Sequence, residues 1–123
     1  MSRLRIDAGA VAFEIELGDT PTARALVAAA PFEARAQTWG DEVYFSTPVS
    51  AKLEPGAQQV VEPGTVCFWT EGDALALPFG RTPISTDDKP KLANPCNVLG
   101  AIVGDPKQLG AIRSGQKITV EKA

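Results

Sequence analysis

The chain has 123 residues, 44% of them hydrophobic and 22% charged, and a formal net charge of −3. That length suits one compact domain, able to bury roughly two-thirds of its unfolded surface without staples. The charge argues against the broad basic face that nucleic acid requires. The absence of histidine excludes Ser-His-Asp and Cys-His pairs, histidine metal sites and imidazole acid–base work.

In chain order, Leu4 and Ile6 alternate with Arg3, Arg5 and Asp7. Val11, Phe13, Ile15 and Leu17 then alternate with Ala12, Glu14 and Glu16. A period of two predicts two half-buried strands. "DAGA" between them makes a hairpin turn, with Gly9 supplying positive φ. The exposed arginines then face the exposed glutamates across the hairpin. Residues 20–30 carry the main helix: Thr20 caps it, Pro21 fits the first position and Pro31 stops it. Ala23, Leu26, Val27 and Ala30 form its narrow buried stripe.

Strand-like segments follow at 32–39, 42–46, 65–69, 74–79 and 97–103, bounded by Gly, Pro and Asp turns. Residues 85–96, "STDDKPKLANPC", read as a polar loop with two prolines, mobile at Asp87, Asp88, Lys89 and Pro90. "GDPKQLGAI" is a short second helix with Asp105 as cap and Leu109 and Ile112 inward. "QKITVEK" closes the chain as a strand with Ile118 and Val120 inward. With no repeat or linker, residues 1–123 read as one mainly β domain, an antiparallel barrel or sandwich. No apolar run approaches the ~20 residues of a membrane span. "MSRLRIDAG" has no signal-peptide core, so a cytoplasmic location is expected.

"TWGDEVYF" (38–45), "EPG" (62–64), Trp69 before "EGDAL", "FGRTP" (79–83) and "NVLGAI" (97–102) stand in this order along the chain. Together they resemble a family of small stand-alone bacterial and archaeal cyclophilin-like proteins, a domain of unknown function. The resemblance implies a closed antiparallel β-barrel of about eight strands, with helices over the open ends. Cyclophilin prolyl isomerases carry a strand arginine followed by a Phe-Met-x-Gln-Gly-Gly-like segment and a pocket histidine. This chain has neither the segment nor a histidine, so isomerase activity is expected to be weak or absent.

Alternation places Val66 and Phe68 on one face and Cys67 and Trp69 on the other. Leu75, Leu77 and Phe79 share a face, as do Val43 and Phe45, opposite Glu42 and Tyr44. Trp39, Glu42, Tyr44, Trp69, Phe79 and Arg81 are therefore the candidate ligand-binding residues, grouped about a cleft at a barrel end. Asp41 and Glu42, being neighbours, point to opposite faces and form no acid–base pair. Arg81 or Arg35 would be the donor if the protein were a prolyl isomerase; no other catalytic residue is legible. Cys67 and Cys96 read as free, structural thiols. No metal or cofactor is expected. The expected partner is a small molecule or proline-containing peptide, with no nucleic acid and no membrane. A protein docked on an exposed strand edge is the third reading. Ligand identity and oligomeric state are not legible in the sequence.

Overall fold

The computed structural model describes residues 2–123. Ten strands run β1 (Ser2–Asp7), β2 (Ala12–Leu17), β3 (Phe32–Arg35), β4 (Gln37–Thr38), β5 (Glu42–Ser46), β6 (Gln58–Val60), β7 (Thr65–Trp69), β8 (Ala74–Pro78), β9 (Lys91–Ile102) and β10 (Lys117–Lys122). One α-helix, α1 (Pro21–Ala29), and a 3-10 helix (Pro106–Ala111) complete the chain. The main sheet has the order β3-β10-β1-β2-β9-β7-β8-β5-β4, and its described pairings are antiparallel.

The predicted strand 32–39 is one run broken at Ala36. Its first half pairs with β10 and its second with β5. This run joins the two edges of the sheet, so nine strands make eight staves of a nearly closed barrel. Ala36 sits at the switch, its N–H donating to the Gln116 carbonyl at 2.8 Å while its own carbonyl accepts from Gly115 N–H at 2.8 Å.

The barrel interior holds Leu4, Ile6, Phe13, Ile15, Leu17, Val43, Phe45, Val66, Phe68, Leu75, Leu77, Ile118 and Val120. Each comes from the apolar phase of a period-two segment. Helix α1 adds Ala23 and Leu26 to the same core, and the 3-10 helix adds Leu109. Arg3 reaches Glu14 and Glu16 at 3.1 Å each, the cross-hairpin pairing that the alternation implied.

The first turn of α1 is fully partnered, which explains why it starts where it does. Thr20 Oγ1 accepts from Ala23 N–H at 3.2 Å, and Pro21 has no N–H to satisfy. Glu54 Oε2 accepts from both Thr22 N–H (3.1 Å) and Thr22 Oγ1 (2.6 Å). Asn97, fully buried on β9, ties this corner together. Its Oδ1 accepts from Glu54 N–H at 2.7 Å, and its Nδ2 donates to Thr22 Oγ1 and to the Lys52 carbonyl.

Two expectations need correction. The polar loop ends at Pro90, and residues 91–96 are the first half of the 12-residue strand β9. The ends of that loop are held together: the Ser85 hydroxyl accepts from Thr82 N–H (2.9 Å) and Lys91 N–H (3.2 Å). Strand β6 was not legible at all. It pairs with the first half of β9, Gln58 opposite Cys96 and Val60 opposite Lys91, and forms a small flap outside the barrel.

Candidate functional site

Because of that flap, the outer wall of the barrel is not simply a solvent face. A second apolar cluster of Val61, Cys67, Ala76, Leu92 and Cys96 lies between wall and flap, with Tyr44, Trp69 and Val98 packed against it. Cys67 is thus as buried as Val66 and Phe68, and β7 is covered on both faces. Within this second layer lies a cavity of about 250 Å³, lined by Trp39, Glu42, Tyr44, Trp69, Ala76, Leu92, Ala93, Asn94 and Cys96.

The cavity follows from side-chain size along one row of the sheet. Cross-strand pairing sets Tyr44 opposite Ala76, Ala76 opposite Cys67, and Cys67 opposite Val98. The two central residues are small and the outer ones larger, which leaves a depression in the middle of the wall. Ala76 lies between the core residues Leu75 and Leu77, so its own side chain points away from the interior.

Of the six candidate residues, Trp39, Glu42, Tyr44 and Trp69 meet in this cavity. The Gly40-Asp41 turn brings the first two together. Gly40 has φ of +59°, and Trp39 N–H donates to the Glu42 carbonyl at 3.0 Å. Trp69 Nε1 donates to Asn94 Oδ1 at 3.2 Å, and Tyr44 Oη to Gln37 Oε1 at 3.0 Å. Phe79 and Arg81 are elsewhere. Phe79 packs against the barrel core beside Gly110, and Arg81 is exposed with its guanidinium on the Ser85 carbonyl at 3.3 Å. Arg35 donates to the Gly115 carbonyl, also away from the cavity. The cleft lies on the outer wall rather than at a barrel end.

Leu92, Ala93, Asn94 and Cys96 were missed. Leu92, Asn94 and Cys96 do alternate, but Pro90 before them and Pro95 among them signal a loop. Pro95 is tolerated because the β6–β9 pairing shifts register across this stretch.

Glu42 is the unusual group. The residue is 6% exposed, and its Oε1 has no hydrogen-bond partner. Burial pushes its carboxyl up to about 7. A raised carboxyl binds its proton more tightly folded than unfolded, so its contribution to stability falls as pH rises from about 4.5 to about 7. Glu42→Gln removes that penalty. The variant is expected to match wild type near pH 4 and to exceed it at pH 8 by up to about 3 kcal/mol, measured by urea unfolding. A stability difference independent of pH would refute the assignment.

The thiols beneath are inert by the same physics. Burial, then the charges of Glu42 and Glu71, pushes Cys96 up to about 12; burial, then Cys96 and Glu42, raises Cys67 still further. Both are free and buried. Neither should react with an aromatic disulfide at pH 8 until the protein unfolds, when both should. Labelling of the native protein would contradict this. Among the described residues, no group of three or more Cys, Asp or Glu side chains is arranged to hold a metal, and no helix is long and apolar enough to cross a membrane.

The nearly closed antiparallel barrel is a cyclophilin-like architecture, and the cyclophilin-like family model matches residues 2–121. The chain belongs to the cyclophilin-like family. It is similar to the hypothetical protein AF2241 from Archaeoglobus fulgidus, whose solution structure superposes with a TM-score of 0.84 at 39% identity, covering 99% of this chain and 95% of that one. No curated protein matches the chain.

Proposed function

We propose that the protein binds a small molecule, or a single side chain of a peptide, in the outer-wall cavity. One observation carries this reading: a buried carboxylate without a partner faces an apolar, aromatic-lined cavity. A buried charge without a partner costs stability, and a glutamine or leucine would fill the position at lower cost. A titratable group perturbed by burial in a cleft marks a candidate functional site, and a ligand could supply its missing partner. The volume lies just below the range typical of drug-sized ligands, which favours a small compound or one side chain.

Prolyl isomerisation is the weaker alternative. It requires a donor held at the twisted imide, because an apolar pocket alone binds ground and twisted states alike. Arg81 and Arg35 both point elsewhere. Activity on a proline tetrapeptide is expected at background.

A thermal-shift screen of metabolites and proline dipeptides, read also by tryptophan fluorescence, tests the binding reading. At least one compound should raise the melting temperature and quench Trp39 or Trp69. Ala76→Leu, which fills the depression, should stay folded and abolish both effects. A screen without response, or one that Ala76→Leu leaves unchanged, would count against the cavity as a ligand site.

A further inference from the structure

We propose that the ligand of this cavity is a small organic cation, an alkylammonium or quaternary ammonium group held by Glu42 and the rings of Trp39, Tyr44 and Trp69. This deepens the preceding reading and rests on the cavity being a ligand site. The chemistry of the lining supports it. The three aromatic side chains come from three separate places, the β4–β5 turn, β5 and the end of β7, and all border one space. Ring faces carry negative potential and attract ammonium groups, more strongly once water is removed. A neutral apolar ligand would need such rings but would gain nothing from a carboxylate.

The polar atoms tell the same story. Tyr44 Oη already donates to Gln37, and Trp69 Nε1 already donates to Asn94. These two of the three ring donors are therefore spent within the protein. Glu42 Oε1 is buried, unpartnered and an acceptor. None of the lining residues is Lys or Arg. An anion would meet a carboxylate with no countercharge among these residues, whereas a cation would supply the missing charge. Gly72 lies so close to the Trp69 ring that a Cβ there would stand 2.5 Å from Cε3, so the β7–β8 turn packs against the indole. A ring fixed in this way presents its face without an ordering cost on binding.

The titratable groups near Glu42 are a phenol and two thiols: Tyr44 and Cys96 share its cavity, and Cys67 on β7 feels its charge. Glu71 in the β7–β8 turn adds a negative charge near Cys96. None supplies a positive charge to compete with a bound cation.

Tetramethylammonium chloride and its neutral analogue tert-butanol serve as probes, titrated against tryptophan fluorescence at about pH 5.5 and about pH 8.5, with sodium chloride matched. Tetramethylammonium should bind at least roughly tenfold more tightly than tert-butanol at the higher pH. Its affinity should fall by roughly tenfold or more at the lower pH, as Glu42 takes up a proton. Glu42→Gln should remain folded by its melting curve and lose the preference for the cation at both pH values. Equal binding of the two probes, or a cation preference that survives in Glu42→Gln, would overturn the inference and leave an apolar ligand site. Tighter binding of neutral dimethylacetamide at the lower pH would make Glu42 a proton donor and would overturn it as well. Quenching by neither probe, alongside a hit in the metabolite screen, would refute the cation while sparing the cavity.

Discussion

Replacing Asn97 by alanine should lower stability by about 4 kcal/mol, measured by urea unfolding monitored by circular dichroism. The side chain is fully buried and makes three hydrogen bonds that join β9, α1 and the segment carrying Lys52 and Glu54. Alanine leaves Glu54 N–H and the Lys52 carbonyl without the partner they now have. Each group orphaned away from water costs roughly 1–3 kcal/mol, and the volume vacated at the fully buried Asn97 adds to that. The loss should also loosen Glu54, whose carboxylate holds Thr22 at the start of α1. A loss below about 1 kcal/mol would mean that water replaces the amide at no cost and that this corner is not a structural joint.

Gly100→Val should yield no folded protein, judged by soluble expression and the loss of a cooperative melting curve. Gly100 is not held in a left-handed conformation; its constraint is space. A Cβ there would run into the backbone carbonyl oxygen of Glu16 on β2. Backbone cannot rotate away as a side-chain tip can. Relief would require breaking the pairing of Leu17 with Gly100 and of Glu16 with Ala101. That pairing is one of the staves' shared edges, and Gly18 N–H donating to the Leu99 carbonyl at 2.8 Å continues it. The cost should exceed about 5 kcal/mol, the lower end of typical domain stability. A folded Gly100→Val with an unchanged melting temperature would show that β2 and β9 can separate freely.

These two residues also explain what was legible in the sequence. Asn97 and Gly100 belong to "NVLGAI", a segment that drew attention as a family resemblance and that serves the fold. The barrel staves were readable because each places apolar side chains on one face and polar ones on the other, as Val43 and Phe45 do against Glu42 and Tyr44. That rule fails where both faces are covered. Cys67 and Ala76 look like ordinary outward positions until the flap is known, and the flap strand "QQV" has no apolar alternation to announce it. The site was half legible for the same reason. Trp39, Glu42, Tyr44 and Trp69 lie on recognisable strands and turns, whereas Asn94 and Cys96 lie in a proline-flanked run. Phe79 and Arg81 drew attention as an aromatic and a cation at a strand end. The packing turned Phe79 inward and left Arg81 on its own loop.

The first strand pairs with the last, Leu4 opposite Lys122 and Ile6 opposite Val120. A chain emerging from the ribosome can therefore make the β1–β2 hairpin at once, yet it cannot finish the barrel until β10 is free. The free edge of β1 waits for a partner more than a hundred residues away, and that of β2 for β9. A copy cut short before Lys117 would be a failed barrel rather than a trimmed one, prone to adhere to its neighbours through the bare edge of β1.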